Sequence, residues 1–216
     1  GEAMQENTAA QGRLHPELIS HDARQVIEVA DRAASEAALP CRPGDRVACM
    51  GAGYATHAEY TVVPYNLVAR IPEGVGYDEA AFSALACVAM QGIRRLELEP
   101  GAWVGVLGLG LIGQIAAQLL PAMGYRGVGI DLDPRRAARA RELAGIVAWG
   151  ADEADGVMRV QELTDGHGLD GVVVCAASQS SAAINLAFDM CRVRGRVSLV
   201  GDVGLELDRA RMYRKE

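Results

Sequence analysis

Apolar and polar positions change rhythm along this chain. Between residues 16 and 39, Ile19, Ala23, Val26, Ile27, Ala30, Ala33, Ala34 and Ala37 recur at three- and four-residue steps. That spacing predicts an amphipathic helix, opened by Pro16 and stopped by Pro40. The Arg42-Pro43-Gly44-Asp45 turn follows, then short strands over 46–50, 58–63 and 67–71, parted by Gly and Pro. Asp78 is placed to cap a helix over 79–96.

From Gly101 the rhythm changes. Apolar, β-branched runs at 103–107, 127–130, 146–148, 171–175 and 196–200 alternate with helical patterns over 112–122, 134–144, 155–163 and 180–190. The strand runs are continuously apolar, as in a parallel sheet covered on both faces. Strand and helix in alternation predict an α/β fold with a Rossmann doubly wound parallel sheet. The organisation expected is residues 1–75, an N-terminal helix plus a small β-rich part, and residues 76–216, the Rossmann domain.

Composition narrows the function. The chain has 216 residues and a formal net charge of −7, the wrong sign for a nucleic-acid binder. No uncharged apolar run reaches the length of a membrane span. The five cysteines are odd in number and form no Cys-x-x-Cys pair, which argues against a disulfide framework and a cysteine-rich zinc lobe. With polar, acidic first residues in place of a signal peptide, a reducing cytoplasmic setting is expected.

The most specific motif is Gly108-Leu109-Gly110-Leu111-Ile112-Gly113, directly after a predicted strand and opening a predicted helix. Gly108 permits the tight turn, Gly110 lets a pyrophosphate approach the backbone, and Gly113 lets helix pack on strand. Amides at the helix start then hold the phosphates. Asp131 ends the next strand, 18 residues after Gly113. A carboxylate there accepts from ribose hydroxyls and repels a 2′-phosphate, so NAD is favoured over NADP. Arg135 and Arg136 qualify this, because an Arg just after the strand accommodates a 2′-phosphate.

Together with these residues, Pro43-Gly44-Asp45-Arg46-Val47, Tyr60-Thr61-Val62-Val63-Pro64, Ala69-Arg70-Ile71-Pro72, Glu79-Ala80-Ala81 and Arg194-Gly195-Arg196-Val197 resemble the medium-chain dehydrogenase/reductase superfamily, in its zinc-type alcohol dehydrogenase group. The stretch Gly51 to Glu59 resembles a branch in which such a unit is fused to a second oxidoreductase domain. The resemblance runs from about residue 43 to the C-terminus. It implies a GroES-like catalytic lobe, here a reduced remnant, followed by a Rossmann domain. It also implies hydride transfer between NAD(P) and an alcohol or carbonyl. Cys87 lines up with the third catalytic zinc ligand of the group. The segments that carry the first two ligands are missing, so no zinc is expected.

The candidate catalytic residues are Tyr54, His57 and Cys87. His57 is either a proton donor to a bound carbonyl or a loop histidine without a partner. Tyr54 is either a hydrogen-bond donor or a packed aromatic. Cys87 is a ligand, a nucleophile or, most simply, a buried small apolar residue. Cofactor contacts are expected from Gly108, Leu109, Gly110, Leu111, Ile112, Gly113, Asp131 and Arg136. Ala176, Ala177, Val200, Gly201 and Asp202 should join them, because ligands of such sheets lie beyond the carboxyl ends of the strands. The reading is an NAD(H)-binding, zinc-independent oxidoreductase acting on a small alcohol or carbonyl in a biosynthetic setting, and assembled as a homodimer through the sheet edge. The alternatives are a dehydrogenase-derived protein with a non-redox or partner role, and a fragment of a longer dehydrogenase.

Overall fold

The computed structural model describes residues 22–25, 41–58, 60–150 and 153–215. The chain divides into two compact units, Gly1–Leu85 and Ala86–Glu216.

In the first unit, β1 (Asp22–Gln25), β2 (Arg46–Cys49) and β3 (Val68–Arg70) form an antiparallel sheet in the order β1-β2-β3. At Asp22–Gln25 this corrects the predicted helix. These residues pair with β2 in the register Asp22↔Cys49 to Gln25↔Arg46. Cross-strand pairing there overrides a helical period built mostly on alanine. The rest of the predicted helix lies outside the described residues. Asp45 braces the 42–45 turn, accepting from the Arg42 amide at 2.7 Å and pairing with Arg70 Nε at 3.2 Å.

Among the described residues of 58–63 the expected strand does not form. β2 is flanked on both edges by β1 and β3, so it offers no place for another strand. The segment bonds to itself instead. The Ala58 amide donates to the Thr56 carbonyl at 2.9 Å, and the Thr61 hydroxyl donates to the Tyr54 carbonyl at 2.5 Å. Val63, at its end, packs against the small core of Cys41, Val47, Cys49 and Ala55.

The helix expected over 79–96 is two, α1 (Tyr77–Ala81) and α2 (Ser83–Arg94). Gly76 takes the N-cap position foreseen for Asp78, which sits in the first turn where its charge favours the helix start. The Phe82 amide donates to the Ala80 and Glu79 carbonyls, a tightened turn that separates α1 from α2.

The second unit is built on a parallel sheet of β4 (Trp103–Leu107), β5 (Arg126–Asp131), β6 (Val147–Gly150), β7 (Leu169–Val174) and β8 (Cys191–Leu199). The strand order is β6-β5-β4-β7-β8. The helices α3 (Leu111–Ala122), α4 (Pro134–Ala144), α5 (Glu153–Leu163) and α6 (Ala182–Met190) connect the strands, and a short α7 (Arg209–Tyr213) follows β8. Val104, Val106 and Val173 pack with Ala116, Ala117 and Leu120 of α3. Val172 and Val174 pack on the other face with Val160 of α5 and Ala187 and Met190 of α6. Successive valines of β7 thus enter opposite clusters, the two-sided burial that the apolar runs foretold. Each such buried valine stabilises the fold by about 1.5–3 kcal/mol.

Helix α4 carries the end signals its sequence suggests. Asp133 caps it, accepting from the Arg135 amide at 2.9 Å, Pro134 opens it, and Gly145 closes it with φ 64°. The Arg135 guanidinium and amide hold the Asp133 carboxyl down at about 2. Beyond α7, Lys215 Nζ donates to the Cys191 carbonyl at 2.5 Å and the Arg194 amide to the Lys215 carbonyl at 2.6 Å, which ties this segment to the start of β8. Among the described residues no helix is long and apolar enough to cross a membrane.

Candidate functional site

The strand order fixes where a ligand can enter. From β4 the chain runs outward through β5 to β6, then crosses back to β7 on the other side of β4. The connections leaving β4 and β7 therefore part at their carboxyl ends, where doubly wound sheets open a crevice.

Gly108 follows β4 at that point, with φ +88°, a conformation glycine adopts freely. A Cβ on Gly108 would lie 2.6 Å from Ala176 Cα and N, in the segment after β7. One on Gly113 would overlap the Gly108 carbonyl oxygen, so α3 approaches the turn as closely as backbone allows. Gly110 is the opposite case, with nothing within 4 Å of its Cβ direction. Gly110 is also the N-cap of α3 and makes no side-chain cap. The amides of Leu111, Ile112 and Gly113 thus have no intrahelical acceptor. Open space beside unpaired amides at a helix start suits a diphosphate.

Asp131 ends β5 beside this turn and is buried, at 7% exposure. Its Oδ2 accepts from the Leu109 amide at 2.6 Å and lies 3.6 Å from Arg136 Nη1, while Oδ1 accepts from the Asp133 amide at 2.8 Å. Arg135, one residue closer to the strand, is turned to Asp133 instead, at 2.9 Å. On the far side, the Ser178 amide donates to the Asp202 carbonyl at 2.8 Å and the Gly204 amide to the Ser178 carbonyl at 3.1 Å. A Cβ on Gly201 would overlap the Ala176 carbonyl oxygen. Gly113, Gly108, Ala176 and Gly201 thus form one continuous backbone floor, with Ala177 and Asp202 exposed and Val200 half-buried beside it.

The comparisons agree with this architecture. A family model described as zinc-binding dehydrogenase matches residues 112–216. An alcohol dehydrogenase of Rhizobium meliloti (strain 1021) is 34% identical over 169 residues, 75% of this chain and 48% of that protein. An alcohol dehydrogenase from Thermus sp. ATN1 superposes with a TM-score of 0.73 at 24% identity, over 89% of this chain and 64% of the other. A mycobacterial protein solved complexed with NADPH gives a TM-score of 0.72 at 25% identity, over 90% of this chain and 60% of that one. The chain belongs to the medium-chain dehydrogenase/reductase superfamily. It spans about half the length of the curated relative it matches.

The fold is that of the alcohol dehydrogenases and oxidoreductases of the medium-chain superfamily. The catalytic candidates are less concentrated than the glycine turn. Tyr54 and His57 belong to the first unit, in the loop after β2, and both are exposed. Tyr54 is not the packed aromatic expected, at 41% exposure, because the turn buries Ala55 in its place. Cys87 is on α2 and its exposure corrects the expectation of a buried residue. The buried face of α2 runs through Ala89 and Ile93, and Cys87 lies on the opposite side. Among the described residues no group of three His, Cys, Asp or Glu is placed to hold a metal ion.

Cys175, half-buried behind the glycine turn, was not singled out by sequence; burial pushes its thiol up to about 12. A cleft of about 370 Å³ lies at the amino ends of the strands, lined by Trp103, Arg126, Thr164, His167, Asp170 and Arg192. It is at the edge of the sheet remote from the glycine turn. Gln114, one residue past Gly113, also escaped the sequence reading, although its place next to the motif was a signal. Its Nε2 donates to the Leu109 carbonyl at 3.1 Å and to the Arg136 carbonyl at 2.8 Å.

Proposed function

We propose that this chain binds NAD(H) at the crevice between β4 and β7 and serves a zinc-independent oxidoreductase acting on a small alcohol or carbonyl compound. One observation carries the reading. The open space at Gly110, the backbone floor of Gly108, Ala176 and Gly201, and the buried Asp131 carboxylate lie together at the carboxyl ends of β4, β5 and β7. The α3 amides would hold the diphosphate and Asp131 the adenosine ribose hydroxyls. Ala177, Val200 and Asp202 would border the nicotinamide end. Nicotinamide held there would supply hydride chemistry, and these residues would bind and orient it. NAD is preferred over NADP in this reading because Asp131 sits at the strand end itself. The NADPH bound to the mycobacterial neighbour supports a nicotinamide cofactor in general.

The reading includes a homodimer, supported by the edge strand β8, which among the described residues pairs in its sheet with β7 alone and exposes Val193 and Leu199. It also includes a cytoplasmic, biosynthetic setting with no nucleic-acid or membrane partner, consistent with the acidic charge and with five cysteines that form no Cys-x-x-Cys motif. The test is titration calorimetry with NAD⁺, NADH and NADP⁺, followed by loss of NADH absorbance with a panel of aldehydes and ketones. Tight NADH binding and turnover support the reading, and absence of binding removes it.

A second reading, binding without hydride transfer, is favoured by one observation. Among the described residues the side chains of Tyr54, His57 and Cys87 make no hydrogen bond that would activate a donor or nucleophile. Binding of NADH with no turnover on any substrate would select it.

A further inference from the structure

Three hydrogen bonds and one ion pair close a ring around the adenosine side of the crevice. The Leu109 peptide is held at both ends, its amide by Asp131 Oδ2 at 2.6 Å and its carbonyl by Gln114 Nε2 at 3.1 Å. Arg136 is held at both ends as well, its guanidinium 3.6 Å from the same Asp131 oxygen and its carbonyl on Gln114 Nε2 at 2.8 Å. Gln114 is therefore the member that joins the glycine turn of β4 to the first turn of α4.

The chemistry of the carboxamide makes this orientation one-way. Both hydrogens of its amino group face carbonyl oxygens, and Oε1 is buried with no hydrogen-bond partner. Rotating the amide would aim Oε1 at two acceptors. The side chain thus keeps an unpaired buried acceptor in exchange for two bonds to backbone. An arrangement that leaves a buried polar atom unsatisfied calls for a reason beyond packing.

We propose that Gln114 is a positioning residue for cofactor selection: by clamping the Leu109 and Arg136 carbonyls it keeps the Arg136 guanidinium on Asp131, so the site receives a free ribose 2′-hydroxyl and not a 2′-phosphate. This rests on the dinucleotide reading above. With the clamp in place, Arg136 is committed to a carboxylate and Asp131 stays beside the ribose position. Without it, the first turn of α4 is released from the glycine turn, and Arg136 is able to leave Asp131 for a phosphate dianion, a partner of higher charge.

The test is Gln114→Met, which has similar length and no amide. It removes both clamp bonds and the unpaired oxygen together and leaves the Leu109 and Arg136 carbonyls without their Gln114 donor, so a modest fall in melting temperature accompanies it. Binding of NAD⁺, NADP⁺, 5′-AMP and 2′,5′-ADP is measured by calorimetry, with the melting temperature alongside. The expected result is a rise of about threefold or more in both the NADP⁺/NAD⁺ and the 2′,5′-ADP/AMP affinity ratios, where threefold corresponds to about 0.65 kcal/mol. Gln114→Leu, which likewise lacks the amide and adds no charge, should move the ratios the same way. Unchanged ratios, with or without a fall in melting temperature, overturn the positioning role and leave the dinucleotide reading standing. Absence of binding of all four ligands to the unmodified chain overturns the dinucleotide reading, and this inference with it.

Discussion

The Leu109 amide donates to the Asp131 carboxylate at 2.6 Å, joining the turn after β4 to the end of β5. The ribose-facing acid is thus also a structural acceptor for the phosphate-facing turn. Asp131→Ala would leave a buried amide unpaired, at a cost of about 1–3 kcal/mol. It should both lower the melting temperature and weaken NAD⁺ binding. Asp131→Asn keeps an acceptor for Leu109 and loses the charge, so it should retain most of the stability while raising the NADP⁺/NAD⁺ affinity ratio. Scanning calorimetry and ligand titration separate the two effects; equal behaviour of the two variants would refute the double role.

Two glycines of the turn, Gly113 and Gly110, should fail in different ways. Gly113→Ala puts a methyl group against the Gly108 carbonyl, and the overlap is with backbone that has little room to yield. A loss of about 1–3 kcal/mol is expected. Gly110→Ala meets open space and an ordinary extended backbone, so its melting temperature should stay near that of the parent. Its methyl group would nevertheless occupy the space assigned to the diphosphate, and dinucleotide affinity should fall at least tenfold. Undiminished affinity in Gly110→Ala would place the diphosphate elsewhere.

Alkaline stability should depend on two thiols. Burial pushes Cys175 and Cys191 up to about 12, so the folded state favours their protonated forms. An unfolded thiol ionises near about 8.5. The stabilisation is fully present below that value and is lost as pH rises toward the folded value. Melting temperatures followed from pH 8 upward should fall, and the Cys175→Ala, Cys191→Ala double variant should fall less steeply. Parallel curves for parent and variant would count against this linkage.

Thiol labelling should be selective. Cys87 is exposed on α2, whereas Cys41, Cys49 and Cys191 are buried and Cys175 is half-buried. Brief alkylation of the native chain, mapped by peptide mass spectrometry, should modify Cys87 first. Faster modification of Cys41 or Cys49 would contradict the placement of those side chains.

The second unit was legible in the sequence because two signals reinforced each other. Continuous apolar runs such as Val172-Val173-Val174 located the strands, and the Gly108–Gly113 spacing with Asp131 located their carboxyl ends. The first unit was less so. Its alanine-rich 16–39 segment has a period but little apolar bulk, and the pairing of Asp22–Gln25 with β2 is a tertiary choice that no local pattern records. Residues 58–63 have the alternation of a strand, yet β2 has both edges occupied. Gln114 was missed for a similar reason: its bonds are to the backbone of residues 5 positions before it and 22 after it, which is invisible in a one-dimensional motif.

The meeting of Gly108 with Ala176 has a kinetic consequence. These residues are far apart along the chain, and the cradle they form exists only when β4 has been joined both by β5 and by β7. Such non-local closure is slow compared with helix formation. During refolding, recovery of ligand binding should lag the far-ultraviolet helix signal, so the cofactor would act as a reporter of the last β-strand to dock on the central one.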